Sequence, residues 1–323
     1  MKKIAWLFCA AAVAALQATA ALAQNYPTRA IRMVVPFPPG GPNDILARLL
    51  AQKTSEQVGH PVVLDNRGGA GGVIGTDAVA KAAADGYTLL FSGTASLSIN
   101  PSLYAKLPYD PLTDFAPITL VGTAPSIFIL HPSVPVKSIK ELIDYTRANP
   151  GKLNFASAGI GTPPHLGGEL FNTMAGVNMV HVPYKGGGPA TADLLAGQVQ
   201  LYISGISTAI PLVKEGKVRG IAVTSSKRTS LLPDTPTVAE SGLPGFEVGN
   251  WYAIVAPAGT PRPIVNRLNA ELNKAIALAD VRKRFFELAV EPMGSTPEEL
   301  AAYNKSEITK WARAIKAAGM KPE

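Results

Sequence analysis

The chain has 323 residues, 47% of them apolar and 16% charged, with a formal net charge of +7. That is enough apolar sequence for a large core spread over about two domains. The basic residues are scattered along helices and form no arginine-rich run, which argues for a solvated surface and against a nucleic-acid partner.

Residues 1–23 read as a secretory signal. Lys2 and Lys3 form its basic end, an apolar stretch follows, and Ala21-Leu-Ala23 supplies a small-x-small cleavage site. The apolar part is too short for a comfortable membrane span. The sole cysteine, Cys9, lies within this leader, after residues too large for a lipoprotein cleavage site. The mature chain therefore has neither thiol nor disulfide, and the expectation is a soluble periplasmic monomer held together by its core.

A β-branched strand over 31–35 stops at Pro36, and Phe37-Pro-Pro-Gly-Gly-Pro42 leads into an amphipathic helix over 43–57. This strand, stiff loop and helix can present main-chain N–H groups to an anion. A second strand is predicted over 61–65. The glycine-rich run 67–75 then opens an alanine-rich helix, but its spacing is not G-x-G-x-x-G, so it reads as a close-packed loop and not a dinucleotide site. A third strand over 88–92 enters Gly93-Thr-Ala-Ser96, a loop of small hydroxyls, and 100–111 reads as irregular. Two strands, 116–121 and 127–130, flank Gly122-Thr-Ala-Pro125, the first candidate domain crossing.

The pattern then repeats. Ser138 caps a helix to Ala148, and a strand over 154–157 meets Ala158-Gly-Ile-Gly-Thr-Pro-Pro164 and a helix carrying His165. A strand over 180–182 feeds the glycine-rich loop 183–189 and a helix over 190–196. Strands over 199–203 and 218–224 bracket another helix. The alternation predicts parallel βαβ units with ligand chemistry at the strand C-termini. Around 243–251 the chain crosses back, and two long helices, from Gly259 and from Pro297 (capped by Ser295 or Thr296), are expected on domain one. The predicted domains are 24–122 with 250–323, and 123–249, joined by two strand-like hinge crossings.

Several motifs occur in order: Tyr26-Pro-Thr-Arg-Ala-Ile-Arg-Met-Val-Val-Pro-Phe-Pro-Pro-Gly-Gly, Val63-Leu-Asp-Asn-Arg-Gly-Gly-Ala-Gly-Gly, Asp85-Gly-Tyr-Thr-Leu-Leu, Leu107-Pro-Tyr-Asp-Pro, Pro150-Gly-Lys-Leu-Asn, His181-Val-Pro-Tyr-Lys-Gly and Ala256-Pro-Ala-Gly-Thr-Pro. Together they closely resemble the Bug family, the TctC-like substrate-binding proteins of tripartite tricarboxylate transporters. The resemblance implies an α/β, two-domain, type II-like Venus flytrap. Each domain would be a mixed, mostly parallel sheet flanked by helices, closing on a small carboxylate for delivery to membrane permease subunits. Carried over by motif, the ligand contacts would be Phe37, Gly40, Gly41, Thr94 and Ser96 from domain one, and Ser157, Gly159, Gly161, Thr162, His165 and the region of Ser204 from domain two. Where the family often carries an acidic residue, this chain has Ser204. That removes a partner for a ligand ammonium and predicts a dicarboxylate, hydroxy acid or aromatic acid.

The bland readings sit beside these. His165 could donate to a ligand or simply cap its helix; His181 reads as a satisfied buried residue, and His60 and His131 as structural. The four histidines show no metal-ligand spacing, and no metal or cofactor is expected. Phe37 could stack on a ligand or cover the cleft floor, and Lys185 could face solvent or steer an anion. Trp251 is expected to pack at the hinge, and Glu298-Glu299 to be a helix first-turn pair. No serine lies in G-x-S-x-G, so a hydrolase is the weakest alternative; a receptor presenting ligand to a membrane sensor kinase is another.

Overall fold

The computed structural model describes residues 26–184, 187–317 and 319–320. The predicted leader, with Lys2, Lys3 and Cys9, and Lys185 of the glycine-rich loop lie outside the described residues. No helix among the described residues is long and apolar enough to cross a membrane.

In chain order the elements are β1 (Ile31–Val35), α1 (Pro42–Val58), β2 (Val62–Asn66), α2 (Val73–Ala80), β3 (Thr88–Gly93), a π-helical turn (Ala95–Ile99), α3 (Asn100–Leu103), β4 (Phe115–Leu130), α4 (Ile139–Ala148), β5 (Asn154–Ser157), α5 (Pro163–Ala175), β6 (Val180–Pro183), α6 (Gly187–Leu195), β7 (Leu201–Gly205), α7 (Ile206–Lys214), β8 (Arg219–Val223), β9 (Gly249–Pro257), α8 (Arg262–Ala277), α9 (Ala279–Glu287), β10 (Glu291–Pro292) and α10 (Pro297–Ala317). The strand order is β2-β1-β3-β9-β4-β7-β5-β6, with β8 and β10 pairing to β4 off this path.

Two wings of sheet meet on β4. In the first, β1 lies parallel between β2 and β3, and β9 joins antiparallel to β3. In the second, β5 lies parallel between β6 and β7. The residues Phe115 to Pro125 of β4 pair with β9, and Ser126 to Leu130 pair with β7 and β8. The two strands expected over 116–121 and 127–130 are thus one. Gly122 and Pro125 mark bulges and a change of partner, not a strand end: Gly122 packs where a side chain would strike the Glu291 carbonyl at 2.7 Å, and Pro125 sits opposite Gly249.

Side chains alternate across each wing as strand geometry requires. Met33, Val35 and Phe91 point into a core with Leu46, Leu268 and Phe285, while Val34 and Leu90 face Trp251 and Leu300. Phe128, Phe155 and Leu201 meet Phe171, Phe246 and Trp311, while Ile127, Ile129 and Ala156 face Tyr202 and Val223.

The last helix ties the wings together. Thr296 and Glu299 cap it reciprocally: the Glu299 N–H donates to Thr296 Oγ1 at 3.2 Å, and the Thr296 N–H donates to Glu299 Oε2 at 2.8 Å. Ser295 instead accepts from the Leu120 N–H of β4. Both terminal helices were expected on domain one. Helix α8 packs there through Leu268 and Leu272. Helix α10 starts there with Leu300, but Trp311, Ala314 and Ile315, spaced for one helix face, are buried in the second wing. Midway, the buried Glu307 carboxylate accepts from Trp251 Nε1 of β9 at 3.1 Å and from Trp311 Nε1 at 3.0 Å. Trp251 therefore packs at the crossing, as expected.

Trp311→Ala is expected to cost about 3–5 kcal/mol, read as a lower denaturation midpoint. A loss within about 0.5 kcal/mol, the ordinary range for a surface substitution, would show that the second wing does not depend on α10.

Candidate functional site

The register of β4 and β9 places the candidate loops. Gly93, ending β3, pairs with Tyr252, which pairs with Gly122 of β4. Gly205, ending β7, pairs with Ser126. Gly122 and Ser126 are about 13 Å apart along the strand at roughly 3.3 Å per residue. The C-terminal ends of β3 and β7 therefore approach the same crossing from opposite sides. Contact across it is direct: a Cβ on Gly161 would sit 3.0 Å from Leu103 of α3.

The loop after β1 is held from below. Asn66, at the end of β2, donates to the Phe37 carbonyl at 3.1 Å and to Asp44 Oδ1 at 3.0 Å. Asp44 Oδ2 accepts from the Gly40 N–H and from Arg48 Nε, each at 2.9 Å. Burial pushes the Asp44 carboxyl up, but the Arg48, Gly40 and Asn66 hydrogen bonds outweigh it and hold it below the usual carboxylate range. The Gly40 N–H is thus consumed within the loop, and Gly40 contributes shape through a φ of +85° that favours glycine. Gly41 caps α1 with Pro42 in the first turn, so this helix N-terminus faces the loop without a side-chain cap. Phe37 is half-buried on the first core, its ring tip against Gly72.

The segment after β3 is helical where a loop of hydroxyls was expected. Thr94 already has helical φ and ψ, and the π-helical turn runs into α3 through a stretch read as irregular. A single wide turn leaves no periodic trace in a sequence. The Thr94 hydroxyl accepts from the Trp251 N–H at 2.8 Å and so belongs to the crossing. Ser96 is fully buried; its Oγ has no hydrogen-bond partner among the described residues and lies 2.5 Å from where a Cβ on Gly72 would stand. Asn100 donates to the Gly71 carbonyl at 3.1 Å. Phe37, Gly72 and Ser96 therefore come together although they stand on three different loops.

In the second wing, Ser157, Gly159, Gly161, Thr162 and His165 form one hydrogen-bonded unit. The Gly159 N–H donates to Ser157 Oγ at 3.1 Å, Thr162 Oγ1 donates to the Gly159 carbonyl at 2.6 Å, and the Gly161 N–H donates to His165 Nδ1 at 3.1 Å. His181, read as a satisfied buried residue, is hydrogen-bonded to the candidate itself: its Nε2 lies 2.6 Å from Ser157 Oγ. The His181 ring stacks on His165 with centroids 3.9 Å apart and on Phe155 at 5.0 Å. Burial lowers both imidazoles, and with the neighbouring His165 ring it takes His181 down to about 4. Ser157 and His181 are at the separation of a nucleophile and its base, but no carboxylate orients the ring among the described residues, so the third member of such an arrangement is missing there. Ser204 is fully buried but alternates onto the Tyr202 face of β7, away from Ser157, which shares the Phe155 face of β5.

The remaining histidines are local: His60 contacts the Val58 carbonyl, and His131 bonds Ser133. No cluster among the described residues could hold a metal ion. Glu298 pairs with Arg262, and Glu299 serves the helix cap. A cavity of about 300 Å3 lies at the crossing between β4, the start of β9 and α10, with Glu247, Glu307 and Lys310 in its wall; it includes none of the candidate loop residues. Asp44, Asn66, Asn100 and His181 are the supporting residues that sequence reasoning did not assign to the site. An acidic residue in the first turn of α1 was a readable signal for Asp44 alone.

Comparison with known proteins gives a consistent picture. The sequence pattern of TctC, the tripartite tricarboxylate transporter family receptor, matches residues 46–320. Protein BugT of Bordetella pertussis is 41% identical over 300 residues, covering 93% of this chain and 92% of its own. The structure of Rpa4515 of R. palustris with adipate is similar with a TM-score of 0.76 and 38% identity, covering 92% of this chain and all of that one, 100%. MatC of Rhodopseudomonas palustris with bound malate gives a TM-score of 0.71 and 36% identity over 90% of this chain and 100% of its own.

Two outcomes test this geometry. Asp44→Ala leaves the Gly40 N–H and the Asn66 amide short of an acceptor and is expected to cost about 1–3 kcal/mol; an unchanged melting temperature would refute the bracing role. The pH dependence has a definite sign. Because folding depresses His181 from 6.5 to about 4, the unfolded chain takes up its proton first, so stability is lost as pH falls from 6.5 towards 4. Asp44, also depressed, adds a further loss at lower pH, below its unfolded value of about 3.9. His165, lowered by burial as well, contributes in the same upper window. Melting temperature against pH should fall in that order, and His181→Phe should reduce the upper part of the fall and leave the share of His165.

Proposed function

Because the chain belongs to the tripartite tricarboxylate transporter receptor family of the Bug/TctC type, we propose that it is a periplasmic solute-binding protein. It captures a small organic carboxylate between its two wings and hands it to the membrane permease subunits of such a transporter. The observation that carries this reading is the convergence of the loops after β3 and β7, from opposite wings, on one crossing in β4 and β9. In this reading 24–122 with 250–323 form one domain and 123–249 the other, β4 and β9 are the hinge, and 1–23 is a leader removed on export.

The grip is made of uncharged donors: the N-terminus of α1 at Gly41, the free hydroxyl of Ser96, and the Ser157, Gly159, Gly161, Thr162 and His165 unit, with Phe37 as an apolar wall. Hydrogen bonds to a charged group contribute about 1.5–3 kcal/mol each, and micromolar affinity needs about −8 kcal/mol. A handful of preorganised donors therefore suffices without an arginine clamp, even after the cost of association. Relatives described with adipate and with malate favour a dicarboxylate or hydroxy acid. Ser204, buried where an acidic partner was looked for, offers nothing to an ammonium, so amino acids are disfavoured.

A thermal-shift screen of adipate, malate, aromatic acids, aspartate and glutamate tests this. A true ligand at 100 times its Kd stabilises by about 2.7 kcal/mol. Gly41 has an ordinary φ, and a Cβ there would meet only the Pro38 carbonyl in ordinary contact at 3.9 Å, so Gly41→Val should fold normally and lose the shift. Unaltered binding would remove the first loop from the site, and tighter binding of glutamate or aspartate than of every other acid would overturn the ligand class.

A further inference from the structure

We propose that His181 is a positioning residue: the ring nitrogen that carries its proton decides whether Ser157 can donate a hydrogen bond to a bound carboxylate. The inference rests on the carboxylate reading above and concerns how that site is switched on.

Ser157 Oγ is fully buried and has three polar neighbours. The Gly159 N–H donates to it at 3.1 Å, the Gly159 carbonyl stands at 3.1 Å, and His181 Nε2 stands at 2.6 Å. The hydroxyl has one proton to give. If Nε2 is bare, that proton goes to the imidazole at the shortest of the three distances, and Ser157 presents only lone pairs to an anion. If Nε2 carries the proton, the ring donates to Ser157 and the hydroxyl proton is released. In the free protein it then points to the Gly159 carbonyl, which Thr162 Oγ1 already serves at 2.6 Å. Turning that proton from a carbonyl with another donor to a carboxylate leaves no buried acceptor empty.

The ring itself has little freedom to answer by moving, being stacked between Phe155 and His165. What remains is a change of tautomer, in which one proton leaves Nδ1 and one arrives at Nε2 with no net charge change. His165 has already made the same choice, since its Nδ1 accepts from the Gly161 N–H and its proton must sit on Nε2. Both rings would then hold the 158–162 loop in its donating state, and a carboxylate selects that state by linkage.

The experiment is long-range proton–nitrogen NMR on the full chain labelled with nitrogen-15 histidine, free and saturated with adipate or with malate. The expected result is a shift of His181 towards the Nε2–H tautomer on binding of either acid. Alongside it, His181→Phe keeps the stacking and removes the imidazole acceptor, which leaves the Ser157 hydroxyl proton free without a tautomer change. It should bind as tightly as the parent chain or a few-fold more tightly. In a Ser157→Ala background, His181→Phe should leave binding unchanged. A tautomer unchanged at saturation, a tenfold loss of binding in His181→Phe, or the same gain from that substitution without the Ser157 hydroxyl, overturns the proposal. If neither acid raises the melting temperature, the carboxylate reading fails first and this inference falls with it.

Discussion

Between Pro125 and Ser126 the main chain of β4 changes hydrogen-bonding partner, leaving β9 and taking up β7 and β8. Every other spatial relation in the molecule follows from that handover. A strand cannot leave its backbone groups unpaired in a buried sheet, so one continuous β4 obliges both wings to be built outward from it. Because β9 runs beside β3 and β7 beside the far end of β4, the parallel strands of each wing finish facing the crossing. Trp251, Glu307 and Trp311 lock the same region from outside, through two indole N–H groups on one carboxylate. The lock and the sheet are independent chemistry acting at one place.

The loops near that crossing share a feature: several of their polar atoms are already used within the chain. Asp44 takes the Gly40 N–H, Asn66 takes the Phe37 carbonyl, and the Thr94 hydroxyl takes the Trp251 N–H. In the proposed site, what is left over is what a ligand would use. Among the described residues Ser96 keeps a buried hydroxyl without a partner and α1 starts without a side-chain cap, and in the proposed arrangement the Ser157 unit has a proton whose direction depends on an imidazole. The candidate donors among the described residues are uncharged, and neutral donors select by shape and hydrogen-bond direction and suit ligands of varied skeleton.

Much of the order of strands and helices and the parallel βαβ logic were legible in the residues, because the apolar runs within 31–35 and 88–92 and the punctuation at Pro36, Gly59 and Ser138 are local signals. So was the functional class, since the loops of both wings carry glycine, proline and small hydroxyls ahead of helix starts. Legibility failed where a residue's meaning depended on a distant partner. Gly122 and Pro125 read as a break, but the first follows a bulge and packs on Glu291, and the second pairs with Gly249 where the strand changes partner. Ser295 and Thr296 were equivalent as caps until Leu120 claimed the first. The run after Gly93 read as loop because a π-helical turn has no repeat to detect.

The sequence by itself determined most of the strands of the parallel units and the glycine- and proline-rich loops that follow them, because each of these depends on residues within a few positions of one another. Tertiary structure alone decided which donors remain free. Gly40 lost its N–H to Asp44 and Thr94 its hydroxyl to Trp251, while Ser157 gained His181 from a neighbouring strand and Ser204 was turned to the other face. Hydrogen bonds are satisfied in space, over separations such as the 157 residues between Thr94 and Trp251. Which polar groups are left for a ligand is a property of the folded chain only.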